Sequence, residues 1–97
     1  TNKSYFLAGM ADMKMQKFAD AVDHFEHILS ANAKSGDTYF QDEAEYYLAL
    51  AYLMNKQTEK GISLLSKIGA DSSQTYSPLA RQISSTDLKI IELKSKK

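Results

Sequence analysis

The sequence predicts an all-α domain built from two helical hairpins and a C-terminal capping helix. Apolar residues recur at the helical period of about 3.6 residues, and no segment alternates as a strand would. Short polar turns separate the periodic segments. One pattern of small and apolar residues also returns after forty residues, as Ala21-x3-Phe25-x2-Ile28 and then Gly61-x3-Leu65-x2-Ile68. Repetition at such a spacing is typical of stacked helical hairpins.

The first hairpin is predicted over residues 3–33. Its first helix covers residues 3–15, a tight turn follows at Gln16 and Lys17, and the second helix covers residues 18–33. The second helix has the clearest apolar stripe, formed by Phe18, Ala21, Val22, Phe25, Ile28 and Leu29. The polar side chains lie off this stripe, which indicates a solvated outer face.

The second hairpin is predicted over residues 39–69. A capping box of Thr38 and Gln41 would start the third helix, residues 39–55. Its second half is apolar on nearly every side, so we expect it to pack on more than one side, at the centre of the domain. Thr58 would cap the fourth helix, and Gly69 would end it after Ile68.

The capping helix is predicted over residues 77–95, with Ser77 at the cap and Pro78 in the first turn. The final lysines are interpreted as a solvated tail, too short to predict nucleic-acid binding; they are Lys89, Lys94, Lys96 and Lys97.

Two glycines inside helices predict close helix contacts. Glycine in a helix costs about 1 kcal/mol relative to alanine, which is tolerated where a side chain would prevent packing. Gly9 and Gly61 should therefore lie between helices. Four apolar residues of the helical stripes should be buried in the core: Phe25, Leu48, Leu65 and Ile68.

Composition excludes several classes of function. The 97 residues correspond to one domain, and the twelve basic and twelve acidic side chains cancel, so no net field attracts nucleic acid or anionic membranes. The absence of cysteine excludes disulfides and thiolate metal sites. The longest apolar run, residues 46–54, is shorter than the roughly 20 residues of a membrane span. Thr1 in place of Met suggests a processed or trimmed fragment.

Both hairpins resemble tetratricopeptide repeats, whose pattern is W-x2-L-G-x2-Y, then A-x3-F, then P. The first copy reads Tyr5-x2-Ala8-Gly9-x2-Asp12, then Ala21-x3-Phe25. The second copy reads Glu45-x2-Leu48-Ala49-x2-Tyr52, then Gly61-x3-Leu65. Asp12 and Glu45 replace aromatic residues of the pattern, neither copy closes with proline, and the spacing exceeds the usual 34 by about six residues.

The resemblance covers residues 3–68 and implies a right-handed α-solenoid fragment. The phrases at residues 47–53 and 58–65 are similar to repeats of bacterial envelope-associated proteins. A periplasmic or envelope location is therefore implied, with a cytoplasmic location left open.

The resemblance also implies that the first helix of each hairpin lines a concave surface. The expected partner-binding residues on that surface are Phe6, Met10, Met13, Lys14, Glu43, Tyr46, Leu50, Leu53 and Met54. Methionine packs against irregular partners, so this face suits an apolar helix or peptide. An open groove, an internal core covered by the fifth helix or an unseen repeat, and a self-association surface remain alternatives. A clamp for a peptide carboxylate is not expected, because Phe6, Met10, Tyr46 and Leu50 replace its polar groups.

Metal binding and catalysis are not expected. The run Asp20-x2-Asp23-His24-x2-His27 places four possible ligands on one helix face, but one helix rarely supplies a closed site, and the H-E-x-x-H pattern is absent. No G-x-S-x-G sequence or glycine-rich phosphate loop is present, so we expect neither an enzyme nor a cofactor.

Two functions remain. The first is a protein–protein interaction module or scaffold that binds a partner peptide or helix on the apolar face. The alternative is a structural or self-associating segment of a larger repeat or membrane-anchored envelope protein, with homo-oligomers possible.

Overall fold

A computed structural model describes residues 1–83 and contains five helices there. They are α1 (Asn2–Lys14), α2 (Phe18–Ser35), α3 (Gln41–Met54), α4 (Thr58–Ala70) and α5 (Ser77–Gln82). This part of the chain contains no strand, which confirms the all-α prediction. α5 ends at Gln82 and Ile83 is extended, with ψ of 100°, so the prediction of one unbroken capping helix over residues 77–95 is wrong at Ile83. Residues 84–95 of that prediction and the final lysines lie outside the described residues.

Helices that are neighbours in sequence pack against one another. α1 pairs with α2 and α3 pairs with α4, while α2 against α3 joins the two hairpins and α5 packs on α4. α3 supplies buried residues to both core clusters: Leu48 and Ala51 to the first, and Ala49 to the second. The expectation that the third helix packs on more than one side is therefore confirmed.

The predicted core residues are buried. Phe25 and Leu48 lie in the first cluster, and Leu65 and Ile68 lie in the second. None of the four is more than 3% exposed. The apolar periods of α2 and α4 therefore identified the faces that these helices bury.

The two helical glycines lie at close helix contacts, as expected. A Cβ atom on Gly9 would come within 2.5 Å of the Phe25 ring. A Cβ on Gly61 would lie 2.6 Å from the Leu53 side chain and 3.0 Å from the Ala49 carbonyl oxygen. The helices can approach this closely only because no side chain intervenes.

The turns of the two hairpins have the same backbone conformation, forty residues apart. Gln16 and Lys56 occupy the left-handed region, with φ of 61° and 62°. The next amide in each turn donates back to a helix carbonyl at 2.8 Å, from Lys17 to Asp12 and from Gln57 to Tyr52. This is the Schellman arrangement that commonly ends a helix, here built without glycine.

Glycine at these two positions is expected to stabilise the protein. A side chain strains the left-handed conformation, so Gln16→Gly and Lys56→Gly should each raise the free energy of unfolding by about 0.5–1 kcal/mol. Urea unfolding measures the effect. Lys17→Gly is the matched control and should stabilise nothing, because Lys17 has a negative φ of −93°. A loss of stability in Gln16→Gly equal to that in Lys17→Gly would contradict the prediction.

The predicted capping box at Thr38 is wrong. α3 begins at Gln41, two residues later than expected, after Phe40 in the left-handed region with φ of 60°. The Gln41 side chain is already engaged, because its oxygen accepts from Asn32 at 2.9 Å and its nitrogen donates to Glu45 at 3.0 Å. It is therefore not available to close a box with Thr38.

The other predicted caps also differ. Thr58 is the first residue of α4 and not its cap, and its buried hydroxyl has no partner among residues 1–83. α4 continues through Gly69 to Ala70, and Gly69 instead leaves room for the Arg81 side chain. Ser77 is the first residue of α5, and its hydroxyl donates to the Gly69 carbonyl at 3.0 Å.

Candidate functional site

A row of five aromatic rings crosses from α1 over α3 to the start of α5. Neighbouring ring centroids are 5.2 Å apart for Phe40 and Phe6, 5.9 Å for Phe6 and Tyr47, 5.3 Å for Tyr47 and Tyr46, and 4.7 Å for Tyr46 and Tyr76. These spacings are those of favourable aromatic pairs. All five rings are half-buried, so each keeps some surface open. We call this set the aromatic row.

Phe6 and Tyr46 enter the aromatic row through the repeat itself, because they occupy equivalent positions forty residues apart on α1 and α3. Tyr47 is the neighbour of Tyr46, and it bridges the two helices by meeting the Phe6 ring at 67°. Phe25 lies beneath, with its ring 5.9 Å from Phe6 and 6.4 Å from Tyr47. The row therefore rests directly on the first core cluster.

Phe40 is held in place by a buried amide. Asn32 is only 4% exposed, and its nitrogen donates to the Tyr39 carbonyl at 3.1 Å and to the Gln41 side chain at 2.9 Å. Its oxygen accepts from Asn2 at 2.8 Å. These bonds fasten both residues that flank Phe40. Sequence analysis missed Asn32, although its place four residues after Ile28 continues the buried stripe of α2.

A second buried amide positions Tyr76. Gln74 is 4% exposed, its nitrogen donates to the Asp42 carbonyl at 2.9 Å, and its oxygen accepts from the Tyr76 amide at 2.5 Å. The Asp42 carboxylate accepts from both the amide and the hydroxyl of Thr75 at 2.7 Å. The loop before α5 is thus fastened to the start of α3, where Tyr76 stacks on Tyr46 at an interplanar angle of 9°.

The residues predicted for the concave face lie in three environments. Phe6, Met10 and Met13 pack against the first core cluster. Tyr46 and Leu53 pack against the second, with Leu53 over Gly61. The remaining four line the surface: Lys14 is exposed, Met54 is 56% exposed, and Glu43 and Leu50 are half-buried.

Three tyrosine hydroxyls of the aromatic row have no hydrogen-bond partner within residues 1–83. Among residues 1–83, the Tyr52 hydroxyl is the only tyrosine hydroxyl that bonds to the protein, so those of Tyr46, Tyr47 and Tyr76 have no protein partner there. Their oxygens are not among the buried unpartnered atoms of these residues. The aromatic row therefore presents hydrogen-bond donors as well as apolar surface.

The surroundings of the row are acidic. Burial raises the pKa of Tyr46, and Tyr47 adds to the shift. Burial also raises the pKa of Tyr76, followed by Tyr47 and the carboxylate of Glu43. Within residues 1–83 no Lys or Arg pairs with a carboxylate, and the one carboxylate–histidine contact joins Asp12 and His24, so Glu43 has no cationic partner there. Within residues 1–83, a carboxylate without a cationic partner therefore lies beside the Tyr76 end of the row.

The two histidines contact α1. His24 bonds to Asp12 at 2.5 Å, and the His27 ring stacks on Tyr5 at 3.9 Å. Asp20 and Asp23 are exposed. In the described part of the chain, no group of three or more His, Cys, Asp or Glu side chains is arranged to hold a metal ion.

A cleft of about 490 Å³ lies between α2 and α4, with Leu48 and Tyr52 among its lining residues. The Tyr52 hydroxyl donates to Glu26 at 2.5 Å. Burial, then this hydrogen bond and the Glu26 charge, raises the pKa of Tyr52 to about 12. Sequence analysis did not predict the cleft, whose lining residues come from three helices, α2, α3 and α4.

The Tyr52 bond predicts a loss of stability in strong alkali. The unfolded chain deprotonates Tyr52 near pH 10, whereas the folded chain keeps the proton to about pH 12. The contribution of Tyr52 is therefore complete below pH 10 and lost as the pH rises to 12. Melting curves from pH 8 to pH 12 should show wild type approaching Tyr52→Phe in stability. A constant difference between the two proteins over this range would contradict the assignment.

No helix within residues 1–83 is long and apolar enough to cross a membrane. No protein-family model, curated protein or solved structure matches this chain. The case for a function therefore comes from the geometry of the aromatic row and the side chains around it.

Proposed function

We propose that this protein is an interaction module that binds a segment of a partner protein along the aromatic row. The observation that carries the proposal is the row itself, five contiguous and partly open rings, of which Phe40 and Tyr76 are positioned by buried amides. Aromatic rings offer large contact areas at a low entropic cost, and tyrosine is enriched among the residues that dominate binding energy. Rings that are already held in position lose little further freedom on binding.

Aliphatic side chains extend this surface. Leu50 follows Tyr46 by four residues, and Met10 follows Phe6 by four, so each lies on the helix face of its aromatic neighbour. Met54, seven residues after Tyr47, is 56% exposed. A tetratricopeptide-like arrangement, in which α1 and α3 line one inner surface, is part of the proposal. Binding without catalysis is expected, because the polar groups of this surface are tyrosine hydroxyls and carboxylates.

Selection from a displayed library of random peptides tests the proposal. Peptides enriched on the wild-type protein should lose binding to Leu50→Glu, because the charge would be buried under the ligand. Ser63→Glu is the matched control, since Ser63 is exposed on α4 and lies away from the row. Failure to enrich any peptide, or equal binding to both variants, would reject the proposed surface.

Self-association or extension of a repeat array is a second candidate, favoured by the outer face of α1. Leu48 and Ala51 of α3 are buried in the cluster shared with α2. Their counterparts forty residues earlier are more open: Ala8 is half-buried and Ala11 is exposed. Leu7 beside them is 57% exposed. Light scattering tests this candidate: a dimer that Leu7→Glu dissociates supports it, and a monomer at all concentrations rejects self-association.

A further inference from the structure

We propose that the partner segment is an extended, proline-rich peptide with a basic residue beside its prolines. This inference rests on the proposed function and specifies the chemistry of the ligand at the same surface. Three properties of the aromatic row support it: the tyrosine hydroxyls and the Glu43 carboxylate that have no partner within residues 1–83, and the arrangement of the rings.

The unpaired hydroxyls distinguish an extended ligand from a helical one. Tyr46, Tyr47 and Tyr76 offer donors with no protein partner among residues 1–83. An α-helix uses its carbonyls internally, so a helix lying on the row would cover these donors without bonding them. A polyproline II segment has no internal hydrogen bonds and presents free carbonyl oxygens. The donors of the row therefore match an extended chain.

The rings form two differently oriented surfaces. Tyr46 and Tyr76 are stacked with nearly parallel planes, at 9°, while Tyr47 is turned by 78° to the first and 70° to the second. The row thus combines a stacked pair with one ring set edge-on to it, and polyproline II segments dock on aromatic-lined surfaces. A polyproline II helix has three residues per turn, so it returns a proline to the same side every third residue. Its rigid backbone also loses little entropy on binding.

The carboxylate of Glu43 predicts the flanking charge. The neighbouring acids are engaged within the fold, because Asp42 accepts from Thr75 and Glu45 accepts from Gln41. Glu43 has no ion-pair partner in the part of the chain described here. A lysine or arginine beside the prolines would supply one, with the larger gain from the bidentate geometry of arginine.

Residues 1–97 do not supply such a ligand themselves. They contain one proline, Pro78, which lies within α5, so these residues of a second copy have no proline-rich segment to offer.

Three displayed libraries of equal peptide length test the inference. The first fixes a Pro-x-x-Pro core beside arginine, the second fixes the same core beside glutamate, and the third encodes amphipathic helices. We expect enrichment from the first library only. Peptides from it should then bind Tyr47→Phe about 3–10-fold more weakly, because that variant keeps the ring and removes one donor. Tyr39→Phe is the control and should bind as wild type does, because Tyr39 is 70% exposed and outside the row.

Glu43→Gln tests the charge separately. This variant should bind arginine-flanked peptides more weakly and should lose the preference of wild type for arginine over glutamate beside the prolines. A preference that survives the substitution would overturn the role of Glu43.

The remaining outcomes separate the inference from the proposed function. Enrichment of helical peptides that Leu50→Glu no longer binds would overturn the extended ligand and leave the binding surface in place. Proline-rich binding that Tyr47→Phe does not weaken would overturn the role of the hydroxyls. No enrichment from any of the three would overturn the inference, while the random-peptide selection decides the proposed function independently.

Discussion

Gly61→Leu is expected to separate the two helices of the second hairpin and to lower the free energy of unfolding by about 3 kcal/mol or more. Even the first added atom would lie 2.6 Å from Leu53 and 3.0 Å from the carbonyl oxygen of Ala49. Leu53 can rotate, but the carbonyl belongs to the backbone of α3 and cannot yield without moving the helix. A loss of this size should lower the melting temperature by about 15 °C.

Ser63→Leu provides the matched control for this experiment. Ser63 is exposed on the same helix, two residues away, so it places the same leucine side chain on α4 without a neighbouring helix to displace. Thermal unfolding followed by circular dichroism should separate the two variants clearly. Equal melting temperatures for both would show that α3 and α4 do not meet at Gly61.

Phe25→Ala is expected to cost about 3–5 kcal/mol, a large share of the stability of a domain this size. Phe25 is 0% exposed and lies between the Gly9 position of α1 and the rings of Phe6 and Tyr47. Its removal would leave a cavity beneath the aromatic row. Phe18→Ala, at a half-buried position of the same helix, should cost less in urea unfolding. Equal costs would contradict the central position of Phe25.

Gly9 makes the Phe25 prediction sharper. A methyl group on Gly9 would lie 2.5–2.9 Å from the Phe25 ring, so Gly9→Ala alone should destabilise the protein despite its better helix propensity. Phe25→Leu removes ring atoms from the same space. The double variant should therefore be more stable than the sum of the single effects implies, by about 0.5–3 kcal/mol. Additive losses would show that the two positions do not touch.

The hairpins were predictable because their packing depends on the spacing of apolar and small residues along the chain. The apolar period of α2 identified Phe25, and the cost of glycine inside a helix identified Gly9 and Gly61 as contact positions. The helix starts were less predictable, because distant residues can form hydrogen bonds with the side chain that would otherwise cap the helix. The Gln41 side chain has the spacing to form a capping box with Thr38, but in the folded chain its oxygen accepts a hydrogen bond from Asn32 of α2.

The aromatic row was only partly predictable for the same reason. Phe6 and Tyr46 were expected on one face, since both begin an apolar series along their helices. Phe40 and Tyr76 were not, because they reach the row through loops fixed by long-range bonds. The hydrogen bond from Gln74 to the Asp42 carbonyl spans 32 residues, and no pattern among neighbouring residues predicts it.

The matching turns at Gln16 and Lys56 have a consequence for recombination of the gene. Equal backbone angles forty residues apart mean that the chain leaves both turns in the same direction. If a duplicate of residues 17–56 were inserted after Lys56, the new junction would join Lys56 to Lys17. Each junction would then have the geometry of a turn that already exists. The forty-residue unit is thus a repeat whose boundaries are set by backbone geometry, and a longer protein can be built by adding whole copies of it.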